Sequence, residues 1–349
     1  MAGAKSILGA MTPGDLAEAL EDRLREELGA IRDPEIRREA EQRLAHTVNR
    51  LRSASADQEV VEKGPLAFFR DLRRRRREQA ASRRRKRTGY GLHVDEFGFD
   101  RAYWRSVEPF FNYLYSNYWR IECTGVENVP IEGRGIIVAN HSGLLPWDSV
   151  MLREAVQIEH SAQRHVRPLI EDFAYTMPFL GPFLLKIGIA RADRQNAERL
   201  LAADKLIATF PEGVKGITKL FRDRYQLQRF GRGGTIRLAV RTKSPIIPTA
   251  IIGGEEIYPI LAETEVVGGF LGLPKVPLTP TFPLLGPLGL VPLPSKWYIR
   301  FGTPIDLSHL GEEDLKDDIL VNRLNEEVRA QVQSMVHDLL RIRRSAWMG

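Results

Sequence analysis

A histidine and a carboxylate seven positions apart are the chain's first candidates for chemistry, in Asn140-His141-Ser142-Gly143-Leu144-Leu145-Pro146-Trp147-Asp148. Asp148 is the only acid between Glu132 and Glu154. A carboxylate on one ring nitrogen selects the tautomer of an imidazole and supports the imidazolium when the other nitrogen takes a proton. No Gly-x-Ser-x-Gly elbow surrounds Ser142, so the pair points to activation of a substrate hydroxyl rather than of a serine nucleophile. A core histidine followed by a helix N-cap aspartate would show the same residues.

A second group is Phe210-Pro211-Glu212-Gly213-Val214-Lys215-Gly216. Glycines here allow a backbone to approach a ligand closely. Lys215 suits a phosphate as a point charge, and Glu212 suits a polyol hydroxyl. An ordinary strand-ending turn reads the same way.

Both groups follow short apolar runs of the buried-strand type, Gly135–Ala139 and Lys205–Phe210. Ile187–Ala190, Ile246–Ile252 (broken by Pro248) and Trp297–Phe301 are similar, and helical windows at Gln195–Ala203 and Thr235–Thr242 lie between them. Strands alternating with helices predict an α/β fold with a mostly parallel central sheet covered by helices. A histidine at the C-terminal end of such a strand lies where open α/β sheets place their sites. From Glu312 a long C-terminal helix is predicted, with Leu320, Leu324, Val328, Val332, Val336 and Leu339 on one face. Residues 100–120 place eight aromatics in a predicted helix, destined for the core or a lipid interface.

The predicted organisation is a helical N-terminal extension (1–63), a basic strap or linker (64–89) and an α/β domain (90–349). In the extension, Leu16, Leu20, Leu24 and Leu28 recur every fourth residue after Thr12-Pro13-Gly14-Asp15. The strap explains the charge. Between Arg70 and Arg87 stand eleven basic residues and two acids, against a net +6 for all 349 residues, so the remainder is slightly acidic. Residues 70–87 suit an anionic membrane surface, or serve as a solvated linker. Phe68 and Phe69 beside them read equally as an interfacial anchor or as a cap on the core. A nucleic-acid role is the rival class, but no helix-turn-helix, zinc finger or aromatic stacking module accompanies the arginines, and no nucleic acid is expected.

One cysteine, Cys123, excludes a disulfide framework and a cysteine-built metal site. Membrane spans need ~20 mostly apolar residues. Phe173–Ala190 is interrupted by Pro178, Gly181, Pro182 and Lys186, and Val266–Pro294 holds seven prolines. The second stretch reads as a loop facing a membrane or as one covering the core. A cytoplasmic protein lying on the cytoplasmic face of a membrane is expected, without a signal peptide.

Taken together, the motifs resemble the glycerolipid acyltransferases, also called the lysophospholipid or 1-acylglycerol-3-phosphate acyltransferase superfamily. Its ordered motifs are a His-x4-Asp pair, a Gly-to-Arg segment, Phe-Pro-Glu-Gly, and an apolar strand containing proline. Here they are similar to Asn140–Asp148, Gly188–Arg194 (GIARADR), Phe210–Gly213 and Ile246-Ile247-Pro248. The resemblance covers roughly Trp119 to Pro304. It implies a transferase of lipid metabolism and phospholipid biosynthesis, with acyl-CoA or acyl carrier protein as co-substrate and no resident cofactor or metal. His141 would be the general base, oriented by Asp148. Asn140, Gly143, Arg191, Arg194, Phe210, Glu212, Gly213 and Lys215 would form the substrate site, with a backbone N–H near Gly143 for the oxyanion and Arg191 competing with Arg194 for phosphate. Two departures stand out: six residues separate His141 from Asp148, and Lys215 replaces an arginine. Both are similar to the branch that acylates mono- or diacylglycerols, which makes a neutral lipid acceptor an alternative to a lysophospholipid. A catalytically inactive membrane adaptor is the second rival.

Overall fold

A computed structural model describes residues 94–143, 145–176, 180–264 and 276–347. The expected N-terminal helices, the Phe68–Phe69 patch, the strap at 70–87, Leu144 and the first part of the apolar stretch 266–294 lie outside the described residues.

Seven strands form one sheet. In chain order they are β1 (Glu122–Thr124), β2 (Gly135–Ala139), β3 (Val166–Ile170), β4 (Ala190–Arg191), β5 (Leu206–Thr209), β6 (Ile246–Ile252) and, after a small antiparallel pair β7 (Ala262–Thr264) and β8 (Val276–Leu278), β9 (Tyr298–Phe301). The spatial order is β1-β9-β6-β2-β5-β3-β4. Every pairing is parallel except β6 with β9. The fold is thus α/β with a mostly parallel sheet, as the alternation of elements predicts.

β2 lies at the centre, and all five of its residues are buried. Successive strand residues face opposite sides, so Ile136 and Val138 join one apolar cluster and Ile137 and Ala139 the other. Helices α1 (Arg101–Tyr113), α2 (Trp147–Glu159), the short α3 (Asp172–Thr176) and α4 (Leu180–Lys186) contribute to the second side. Helices α5 (Arg194–Ala202), α7 (Gly234–Thr242) and α8 (Asp318–Ile342) cover the first, and α6 (Val214–Ile217) is a single turn beside the site. Coverage on both faces is what near-continuous apolar strands require.

Two boundaries depart clearly from the sequence expectation, at β4 and at the C-terminal helix. Of the predicted 187–190 run only Ala190 belongs to a strand, β4, which ends at Arg191. Before them, Gly188 (φ +92°) closes α4 through Gly188 N–H to Leu185 C=O and Ile189 N–H to Leu184 C=O, a left-handed glycine cap. The C-terminal helix starts at Asp318, where the Asp317 carboxylate accepts the N–H groups of Ile319 and Leu320. Its buried face opens with Val321 rather than Leu320. Pro248 is tolerated inside a central strand because its ladder with β9 begins only at Thr249, and its carbonyl accepts Gly302 N–H.

Candidate active site

His141 leaves the C-terminal end of β2 with the same parity as Ile137 and Ala139, toward the side covered by α2. Asp148 stands in the first turn of that helix and is completely buried. Just before the aspartate the chain turns tightly, with Trp147 N–H donating to Leu145 C=O at 2.7 Å. The longer spacing therefore does not separate the pair: His141 Nδ1 and Asp148 Oδ2 are 2.6 Å apart. Oδ2 also accepts Ser142 N–H at 2.9 Å, and Oδ1 accepts Ser149 N–H at 2.7 Å. A helix N-terminus favours a carboxylate held in this way. With Nδ1–H directed at Asp148, Nε2 is left as the basic nitrogen.

The imidazole lies against the Phe210 ring, with centroids 4.7 Å apart. Burial pulls its pKa down. The Asp148 carboxylate and its hydrogen bond, followed by the charges of Glu212 and Glu171, more than offset this, and the net position is above the ordinary histidine value.

The Phe210–Gly216 turn reaches the histidine from β5. Gly213 has φ +57° and ψ −146°, a region essentially restricted to glycine, and an added Cβ would lie 2.8 Å from Glu171 Oε1. At Gly216 a Cβ would be 2.8 Å from the Cβ atoms of both His141 and Glu212. Two glycines three apart thus let the turn close on the histidine. Glu212 is buried, and both of its oxygens are engaged within the protein. Oε1 accepts His141 N–H at 2.8 Å, Oε2 accepts Gln228 N–H at 2.6 Å, and Lys219 Nζ lies 3.3 Å from Oε2. Asn140 is likewise occupied: its side chain exchanges two hydrogen bonds with Ile251 of β6, at 2.7 and 2.8 Å, and extends the β2–β6 ladder by one rung.

A cavity of about 640 Å³ opens beside this arrangement, with His141, Phe210 and Gly213 in its wall. Leu169, Ile170, Ala174, Ala197, Val214, Ile217 and Leu238 make much of the lining apolar, while Arg194, Arg232, Arg237 and Arg241 supply cationic groups. Arg194, Arg237 and Arg241 pair with Glu198, Asp318 and Glu312 respectively. The wall includes Arg194 but neither Arg191 nor Lys215. Arg191 makes a two-pronged ion pair with Asp172 at 2.6 and 2.5 Å. Lys215 is exposed on α6. Gly143 has φ +82° in the turn after the histidine, beside Ser142, whose N–H is taken by Asp148. Three of the wall arginines were not singled out from the sequence. The run Gly231-Arg232-Gly233-Gly234, opening a helix, is a signal for Arg232.

A family model described as acyltransferase matches residues 120–252, a span that contains the dyad, the Gly-to-Arg segment, the Phe-Pro-Glu-Gly turn and β6. The chain carries an acyltransferase-family domain across these residues. Its similarity extends well outside that span in two mycobacterial relatives, both described as uncharacterised. Rv0502 of Mycobacterium tuberculosis is 42% identical over 324 residues, covering 91% of this chain and 89% of the relative. ML2427 of Mycobacterium leprae is 45% identical over 257 residues, covering 73% of this chain and 70% of the relative. Among solved structures, the 1-acyl-sn-glycerophosphate acyltransferase PlsC from Thermotoga maritima is similar with a TM-score of 0.42 and 19% identity, covering 68% of this chain and 78% of that one.

Proposed function

We propose that this acyltransferase moves a fatty acyl group from a thioester, acyl-CoA or acyl carrier protein, to a hydroxyl of a glycerolipid, with His141 as general base. The observation that carries the reading is the 2.6 Å contact between His141 and a fully buried Asp148, with the imidazole in the wall of a largely apolar cavity. The acceptor hydroxyl gives its proton to Nε2 as its oxygen attacks the thioester carbonyl. When the tetrahedral intermediate collapses, the C–S bond breaks and the imidazolium returns the proton to the leaving sulfur, producing an ester and a free thiol. Asp148 stabilises the charged ring throughout. Gly143 N–H is the proposed oxyanion donor, since the neighbouring Ser142 N–H is spent on Asp148.

In this reading, Phe210 and Gly213 shape the wall beside the base, and Arg194 and Arg232 bind the anionic part of a substrate. Arg191 fixes the rim through Asp172. Lys215 reaches phosphates from the exposed face of α6. A lysophospholipid or a mono- or diacylglycerol fits an apolar cavity with a cationic side. Contact with the membrane is assigned to the basic residues 70–87 and to the segment following β8, where Leu284 and Leu288 are 83% and 71% exposed. That much uncovered leucine on one tip is unusual for a surface that meets only water.

The deciding experiment incubates the full chain with labelled acyl-CoA and a panel of lysophosphatidate, lysophospholipids, monoacylglycerol and diacylglycerol, with lipid products identified by mass. An esterified product together with free thiol supports the reading. Thiol release that no acceptor stimulates, with no esterified product, rejects it.

A further inference from the structure

Lys219 belongs neither to the cavity wall nor to the surface, since its side chain is only 3% exposed. Its ammonium lies between two buried carboxylates, 3.3 Å from Glu212 Oε2 and 3.1 Å from Glu255 Oε1. Each carboxylate is also bound to backbone. Glu212 holds the N–H groups of His141 and Gln228, and Glu255 Oε2 accepts Tyr225 N–H at 2.7 Å. Other charges stand nearby. Arg329 of α8 feels the Glu212 charge, and Glu256 pairs with Arg343 beside the Tyr225 hydroxyl.

A buried carboxylate without a counter-charge takes up a proton or draws in water. Two of them sharing one site make that outcome more favourable, because like charges oppose each other's ionisation. Burial already pushes the Glu255 carboxyl up to about 7, against the pull of Lys219. A charge-assisted acceptor is roughly twice as strong as a neutral one, and this acceptor fixes the peptide N–H of the proposed base itself.

We infer that Lys219 is a positioning residue for catalysis: by bridging the Glu212 and Glu255 carboxylates, it holds Glu212 in place on the His141 backbone N–H, so that the imidazole faces substrate in its reactive orientation. This rests on His141 acting as the base. The role is electrostatic, so net charge matters more here than the lysine's bulk. Lys219→Met leaves the two buried carboxylates facing each other without their shared cation. Adding Glu255→Gln removes the carboxylate that opposes Glu212 without restoring the lysine.

The test compares the wild type, Lys219→Met and the double variant Lys219→Met/Glu255→Gln in steady-state acyl transfer. The backbone amide resonance of His141 is followed in the same three proteins by NMR. For Lys219→Met, kcat should fall about 10–100-fold with KM within about threefold, the scale expected for a misplaced reacting group. The double variant should return kcat to within about fivefold of the wild type. The amide proton should move upfield in the single variant, as its carboxylate acceptor weakens, and return in the double. Unchanged kcat in folded Lys219→Met overturns the proposal, and so does a double variant as slow as the single one. If the single variant does not fold, the double decides: folded with kcat restored supports the role, whereas unfolded, or folded and slow, rejects it. If the wild type transfers no acyl group, the functional reading has failed, while the amide resonance, which needs no substrate, still decides whether Lys219 controls the His141 backbone.

Discussion

An imidazole flanked by Asp148, Glu212 and Glu171 is a stronger base than a free histidine, and this fixes the sign of its pH dependence. The base works only when neutral, so kcat/KM should rise with pH through a midpoint above 6.5. Asp148→Asn removes the leading positive influence on the pKa, and the midpoint of whatever activity survives should move to lower pH; a rate profile on the two proteins checks this. The same shift links to stability. A raised folded-state value contributes stability below the unfolded histidine pKa and loses it as pH climbs through the folded one. His141→Ala should cost about 10²–10⁴ in kcat, read in the acyl-transfer assay on protein with an unchanged melting temperature. Gly213→Ala forces a Cβ into a glycine-only conformation and against Glu171. A loss of about 1–3 kcal/mol in urea unfolding is expected, with weaker turnover in the folded fraction.

Elements place these residues, and they differ in how far the sequence reveals them. β2, β5 and β6 are unbroken or nearly unbroken apolar runs, and the two motifs that follow β2 and β5 could be read from the residues. β3 is disguised by Arg167 and Pro168. The arginine is buried because its Nε donates to Gly188 C=O at 2.6 Å and its head pairs with Asp95, partners that only the tertiary fold supplies. β1, Glu122-Cys123-Thr124, is a three-residue edge strand without a buried run. At the site, the histidine, the aspartate and the Pro-Glu-Gly turn carry a local pattern. The engagement of Glu212 does not, because Gln228 and Lys219 sit in a stretch with little regular structure. The wall arginines of α7 depend on how that helix leans over the cavity, which no spacing encodes. α8 spans 25 residues and buries Val328, Val332, Val336 and Leu339 against the sheet. Leu339 is 1% exposed, so Leu339→Ala should lower stability by about 2–5 kcal/mol, measured by chemical denaturation, while leaving the dyad geometry intact.

At the scale of the whole molecule, no described helix is long and apolar enough to cross a membrane, so contact with lipid in the proposed reading depends on surface features. The tip carrying Leu284, Leu285 and Leu288 is braced from below: Tyr118 and Tyr258 donate their hydroxyls to Pro292 and Leu290 C=O, and Trp147 donates its indole N–H to the Tyr258 hydroxyl. Replacing the three leucines with serine should weaken co-sedimentation with lipid vesicles about tenfold or more, while activity toward a short-chain acceptor dissolved below its aggregation limit stays near the wild-type rate. Equal sedimentation of the two proteins would remove the tip from the membrane contact. The proposed base and its carboxylate arrive at the end of β2 and on α2, whereas the wall guanidinium groups come from α5, α7 and the glycine run that precedes α7. In the proposed reading, reactivity and selectivity are therefore carried by different lengths of polypeptide, so that substitutions in the second can redirect the choice of substrate while the first stays untouched.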